Sequence, residues 1–132
     1  MLRQDLPYIF LMNKNKILVV DDEKNISDVI TEFLTNENYE VRTASNGYEA
    51  LKVLDNWIPD LIVSDIMMPV MDGFVASEEI GKVKPEIPIV ALTAVSEELN
   101  KDKFQKALIR KVLNKPINIE ELTKTVNHYC LN

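Results

Sequence analysis

The chain is poor in the residues that would build covalent or metal scaffolds. Of its 132 residues only Cys130 is cysteine, so no disulfide can form within the chain, which suits a reducing cytoplasm. Cys130 lies near the end of an amphipathic stretch and reads as core filler. The lone histidine, His128, leaves no histidine-based zinc site. No apolar run approaches the roughly 20 residues needed to cross a membrane, so no membrane partner is expected. Positive charge is also scarce. The net charge of −6 argues against a general nucleic-acid surface, and no direct nucleic-acid partner is expected. The N-terminal stretch around Tyr8 to Met12 lacks the apolar core and the small-residue cleavage site of a signal peptide. Residues 1–14 read as an N-terminal extension, disordered or packed on a neighbour, with Met12 an alternative start. Residues 15–132 read as one domain.

What remains is an ordinary globular composition, 46% hydrophobic and 27% charged, on a chain long enough for one real core. Apolar runs alternate with helical periodicity. Lys16 to Val20 reads as a buried strand ending in Asp21 and Asp22. Asn25 to Asn36 carries Ile26, Val29, Ile30, Phe33 and Leu34 at helical spacing. A short strand is expected over Tyr39 to Ala44, then a helix from Gly47 to Trp57 with Ala50, Leu51 and Leu54 inward. Leu61 to Ser64 is a strand ending at Asp65, and a helix follows over Asp72 to Lys82, with Phe74, Ala76, Ile80 and Val83 inward. Ile87 to Leu92 ends at Thr93, Glu97 to Leu108 is helical, and Lys111 to Asn114 is a strand ending at Lys115. The last helix buries Ile119, Leu122, Val126, Tyr129 and Cys130. Five strands alternating with five helices predict a parallel sheet covered on both faces.

In such a sheet the carboxyl ends of the strands share one edge. Asp21, Asp22, Asp65, Thr93 and Lys115 all fall there. Each alone is weak, since an aspartate after a strand is common; five at one edge, none required by packing, form a strong signal. Three close carboxylates raise one another's pKa unless a charge cancels them, and a hard divalent cation, Mg²⁺ or Mn²⁺, is the natural partner. A carboxylate can also attack a phosphoryl group, and a metal, a lysine and a hydroxyl can each hold one of its oxygens.

The motifs Val20-Asp21-Asp22-Glu23, Asp65 to Gly73, Ala91-Leu92-Thr93-Ala94 and Lys115-Pro116 resemble those of the receiver domain of two-component response regulators. The resemblance runs from about Lys16 to Leu131. It implies a flavodoxin-like, doubly wound (βα)5 three-layer sandwich with strand order 2-1-3-4-5, an order for which a receiver is a stock example. It implies Asp65 as phosphoacceptor, and Asp22 directly, Asp21 through water, Asp65 and the Met67 backbone carbonyl around Mg²⁺. Thr93 and Lys115 would hold phosphoryl oxygens, Ala94 would leave the group accessible, and Lys115–Pro116 would be cis. The implied partners are a histidine kinase or histidine phosphotransfer protein and a downstream target. The implied activity is a switch, not an enzyme acting on other substrates. The alternatives are a phosphorelay carrier or the receiver portion of a hybrid kinase, and, remotely, a haloacid-dehalogenase-like phosphohydrolase. The last needs an acid two residues after the nucleophile, where this chain has Met67. Three departures from the family pattern fall at four positions. Val112 stands where an aromatic is usual three residues before the lysine. Leu108 stands where a glycine often ends the fourth helix, and Arg110 and Lys111 replace an acidic pair.

Overall fold

The computed structural model describes residues 14–130. Five parallel strands form one sheet in the order β2-β1-β3-β4-β5. They are β1 (Lys16–Val20), β2 (Glu40–Ala44), β3 (Leu61–Ser64), β4 (Ile89–Thr93) and β5 (Lys111–Asn114). The helices between and after them are α1 (Lys24–Asn36), α2 (Gly47–Val53), α3 (Gly73–Val83), α4 (Lys101–Lys106) and α5 (Ile119–Cys130). This is the expected flavodoxin-like, doubly wound sandwich. The proposed extension, residues 1–14, falls outside the described residues except for its last one.

The period-two geometry of a strand divides the core. Ile17 and Val19 of β1, with Leu61 and Val63 of β3, face α1 and α5, where they meet Ile30, Leu34, Leu122 and Val126. Leu18, Val20 and Ile62 point the other way, onto Ala50, Leu54 and Ile80 of the α2–α3 layer. The interiors of β1, β3 and β4 are therefore buried on both faces, which is why they read as continuous apolar runs, whereas the edge strands β2 and β5 keep exposed residues such as Arg42, Thr43 and Lys111.

Helix ends depart from the sequence reading for local reasons. α2 stops at Val53, not Trp57. The chain turns at Leu54 to Asn56, and Trp57 enters the core while its indole N–H donates to Glu40 at 3.0 Å. α4 begins at Lys101, not Glu97. The Ser96 hydroxyl accepts from the Leu99 N–H, and the Asn100 side chain donates to the Ser96 carbonyl, so side-chain bonds hold 96–100 as a turn. Three positions expected inside lie outside: Val29 and Phe33 of α1 and Val83 of α3 are exposed. Ser27 and Ser77 are buried instead.

Two helices close in the same way. After α1, Asn38 N–H bonds Thr35 O and Tyr39 N–H bonds Leu34 O, with Asn38 at φ 71°. After α4, Leu108 N–H bonds Gln105 O and Ile109 N–H bonds Phe104 O, with Leu108 at φ 59°. Both are Schellman closures, which place one residue in the left-handed region. Asparagine tolerates that region; leucine does not, and its Cβ costs about 1–2 kcal/mol there. The expected outcome is that Leu108→Gly raises stability by about 0.5–1 kcal/mol, the relieved strain exceeding the chain entropy that glycine adds. Chemical denaturation of the two proteins checks this, and an unchanged or lowered midpoint contradicts it.

Candidate functional site

The carboxyl edge of the sheet brings the five expected side chains to one place. Adjacent pairing of β1 with β3 puts Asp21 and Asp65 side by side, with the Asp65 N–H on Val20 O at 2.8 Å. β4 lies between β3 and β5, and the Lys115 N–H on Thr93 O at 3.0 Å continues that ladder past the strand ends. From there the lysine stem reaches back across the edge. Its Nζ lies 3.2 Å from Asp21 Oδ2, 3.2 Å from Asp65 Oδ2 and 3.0 Å from Glu23 Oε1. The Lys115–Pro116 bond is cis, as the resemblance implied.

Each acid has its second oxygen fixed. Asp65 Oδ1 accepts from the Ile66 N–H at 2.7 Å, and Asp21 Oδ1 from the Glu23 N–H at 2.9 Å. Asp65 is 5% exposed, so one oxygen anchors the carboxylate and the other meets Lys115 under the cavity. That cavity, of about 250 Å³, is lined by Glu23, Asp65, Met67, Thr93, Ala94, Val95 and Lys115. Thr93 is fully buried and its hydroxyl accepts from the Val95 N–H at 3.1 Å, leaving the hydroxyl proton available as a donor.

The loop after Asp65 needs glycine and carries strain. A Cβ on Gly73 would stand 2.3 Å from the Asp65 carbonyl oxygen and 2.8 Å from Ile66 Cα. Only glycine lets the start of α3 close on the acid's own backbone, where its N–H bonds Ile66 O. Asp72 caps α3 by accepting from the Val75 N–H. Between these, Val70 has φ 73° while the Met71 N–H bonds Pro69 O, a γ-turn of the strained hand on a β-branched residue.

The electrostatics follow from burial. Burial pushes the Asp21 carboxyl above its ordinary range and the Asp65 charge pushes the same way; the Glu23 N–H and Lys115 oppose them and lose. Burial pulls Lys115 down, but its bond to the Glu23 carboxylate and the charges of Asp65 and Asp21 outweigh it, so the ammonium is held above its ordinary range. Burial likewise pushes the Cys130 thiol up to about 12, which fits a packed rather than a reactive cysteine.

One carboxylate oxygen from each of Asp21, Asp22 and Asp65 lies within 4.8 Å of the others, with Asp22 exposed and the other two buried. Hard oxygen donors with one open side suit a small divalent cation that keeps some of its waters. Glu23 closes the Val20-Asp21-Asp22-Glu23 motif, but the sequence gives it no role; its contact with Lys115 spans 92 positions. Val112 is half-buried beside Ile66, Ala91 and Phe104, and Arg110 and Lys111 are exposed.

A family model described as the response regulator receiver domain matches residues 17–127. An uncharacterized 14.6 kDa protein of Leptolyngbya boryana is 38% identical over 120 residues, 87% of this chain and 89% of that one. The alkaline phosphatase synthesis transcriptional regulatory protein PhoP of Bacillus subtilis is 47% identical over 90 residues, 68% of this chain. The match covers only 37% of PhoP, and other matched transcriptional regulators are likewise spanned over about a third of their length. Among solved structures, the response regulator TrrA of Thermotoga maritima, in complex with Mg²⁺-BeF, superposes with a TM-score of 0.79 at 37% identity, over 87% of this chain and 98% of that one.

The acid cluster sets an expectation for stability. The native state binds the Asp21 proton more tightly than the unfolded chain does. The Asp21 contribution to stability therefore falls as pH rises from the ordinary carboxylate range through its raised pKa. Asp21→Asn removes that charge and keeps one acceptor oxygen, which can meet Lys115 or the Glu23 N–H but not both. Without divalent ions at neutral pH this variant is expected to melt above wild type. At ten times its dissociation constant Mg²⁺ adds about 1.4 kcal/mol to a protein that binds it only when folded, and the variant should lose most of that gain. Thermal melts with and without Mg²⁺ test both statements; a lower metal-free melting point or an undiminished Mg²⁺ gain contradicts them.

Proposed function

The chain belongs to the response regulator receiver domain family, and on that premise we propose that it is a phosphoacceptor signalling switch. It takes a phosphoryl group from a histidine kinase or histidine phosphotransfer protein onto Asp65 and changes its binding to a downstream target. The observation that carries this reading is the Asp65 carboxylate, pinned through Oδ1 and facing Lys115 through Oδ2 in an open-mouthed cavity. In this reading residues 15–132 are the receiver and residues 1–14 an extension.

Four residues would hold Mg²⁺, or Mn²⁺: Asp21, Asp22, Asp65 and the backbone carbonyl of Met67. Bound there, the ion supplies neutralisation of the acids and a contact for a phosphoryl oxygen. Asp65 is the nucleophile, kept in one orientation by the Ile66 N–H. Lys115 neutralises the buried acids before transfer and donates to a phosphoryl oxygen after it. Thr93 donates its hydroxyl proton to another. Ala94, with no side chain beyond Cβ, leaves the cavity open. The chain transfers a phosphoryl group only to and from itself, so it is a switch rather than an enzyme of free substrates. Among the described residues no helix is long and apolar enough to cross a membrane. A cytoplasmic setting, where a soluble kinase domain would meet it, is part of this reading.

The surface on which the signal leaves is also proposed. Val112 has one stiff χ1 and no ring to swing, so it cannot hide and expose a large surface. The exposed Arg110 and Lys111 give this edge positive charge on a protein of net charge −6, which favours an acidic partner bound in a salt-sensitive way.

Two measurements bear on the chemistry. Asp65→Asn is expected to abolish incorporation of base-labile phosphate from a phosphohistidine donor in Mg²⁺; full labelling of the variant contradicts the assignment. The phosphoryl group should also be long-lived. Hydrolysis needs a water in line behind phosphorus, and the cavity side chains Met67 and Val95 cannot hydrogen-bond one. Met67→Asn, which can, is expected to shorten the lifetime several-fold. A wild-type lifetime of seconds that this change leaves untouched contradicts the idea.

A further inference from the structure

We propose that Glu23 sets the rate at which Asp65 is loaded, by occupying one of the three donors of Lys115 and holding a negative charge at the mouth of the cavity. The proposal rests on the reading of Asp65 as phosphoacceptor and adds a residue that reading does not use.

An ammonium has three N–H donors and accepts nothing. Three oxygens already surround Lys115: Asp21 Oδ2 at 3.2 Å, Asp65 Oδ2 at 3.2 Å and Glu23 Oε1 at 3.0 Å. The ammonium donates to Glu23 and to Asp65 and forms an ion pair with Asp21, so three acids share it. A phosphoryl group arriving on Asp65 brings oxygens that compete with these acids for the same ammonium. The side chains of Asp21 and Asp65 are 2% and 5% exposed, and each is tied by its other oxygen to a backbone N–H. The Glu23 side chain is 58% exposed. Bonding to phosphorus removes the Asp65 carboxylate charge, which leaves Asp21 and Glu23 as the ionised partners; water can replace the Glu23 bond to Lys115 at little cost, whereas Asp21 would be left as a buried, unpaired acid. Glu23 is therefore the partner that lets go.

Its backbone position does not explain the contact. Glu23 is the N-cap of α1, yet its side chain makes no capping bond. It reaches Lys115 instead, and it lines the same cavity as Asp65, Met67, Thr93, Ala94 and Val95. A carboxylate there stands beside the path of any donor phosphate. Like charges separated by several ångströms at a partly wet surface slow such an approach by roughly three- to tenfold.

The test uses the full chain with saturating Mg²⁺ at fixed ionic strength, as wild type, Glu23→Gln and Glu23→Asp. Acetyl phosphate is the dianionic donor. An Asp65 oxygen forms the new bond to phosphorus as the donor's P–O bond breaks, and its electron pair leaves with acetate. Loading is followed by intact-mass spectrometry. Glu23→Gln is expected to load roughly three- to tenfold faster, with a smaller gain from the less negative donor phosphoramidate and a shrinking gain at high salt. Glu23→Asp, which keeps the charge, should stay near wild type.

A second readout addresses the tether. The Lys115 ε-methylene NMR signals should differ between wild type and Glu23→Gln when unloaded. They should coincide once both carry Mg²⁺ and beryllofluoride, because Glu23 has then released the lysine. Equal or slower loading of Glu23→Gln, an equal gain from both donors, or a persistent difference in the loaded state overturns the proposal while the phosphoacceptor reading stands. A wild type that neither these donors nor a phosphohistidine donor can load at Asp65 overturns both. Matching thermal melts of the three proteins show that folding is not the cause.

Discussion

Everything at the carboxyl edge depends on one ammonium. Asp21 and Asp65 are buried acids on neighbouring strand ends, and their charges repel. A buried carboxylate without a partner would be protonated or would destabilise the fold. Lys115 offsets part of this cost, yet it comes from β5, two strands from β3. It reaches them because its backbone is fixed to Thr93 at the end of the intervening strand and because a lysine stem is long enough to cross that strand. The pairing is therefore a property of the strand order, which sets β4 between the acids and the lysine.

That edge is also where local geometry is least relaxed. Val70 sits at φ 73° in the loop after Asp65, and Gly73 is packed so tightly on Asp65 and Ile66 that no side chain fits. Strain held beside an active group persists only when the surroundings over-determine it. Here the surroundings are the fully buried β3 on one side and the capped start of α3 on the other. The strand core supplies the stability that the loop and the acid cluster give up, which is the usual division between a scaffold and the site it carries.

The central strands β1, β3 and β4 were legible because burial on both faces leaves an unbroken apolar run, and the acids and Thr93 were legible because they end such runs; Lys115 follows the short, part-exposed β5. The helices were less so. Val29 and Phe33 lie at helical spacing yet remain exposed, because α1 packs through Ile30 and Leu34 and the apolar stripe is wider than the contact. Trp57 looked like the end of a helix but belongs to the loop below it. Pro59 disfavours helix at Ile58, and the indole finds a better place against the sheet. The start of α4 moved because Ser96 and Asn100 offered the backbone side-chain bonds in place of a first turn. The role of Glu23 escaped notice for a different reason. No spacing rule connects that residue to Lys115; only the folded sheet does.

The same physics bears on how a change at Asp65 could reach the surface. Ile66 follows Asp65 directly and is fully buried. It packs in a small cluster with Ala91 of β4 and Phe104 of α4, which Phe74, Val95, Ile109 and Val112 flank. Phe104 is the one buried residue in the six of α4, and it meets Phe74 of α3 edge-on at 4.8 Å. α4 is thus a short helix hung on a single aromatic anchor, and its C-terminal closure carries the left-handed Leu108. A helix of six residues has almost no intrinsic stability and takes its position from such contacts. With few buried contacts of its own, it belongs to the part of a fold that shifts at low cost. Valine at 112 leaves Phe104 as the aromatic ring in this cluster nearest in sequence to β5. A displacement around Ile66 or Val95 therefore meets, as its most movable neighbour, the anchor of α4 rather than a side chain of the sheet.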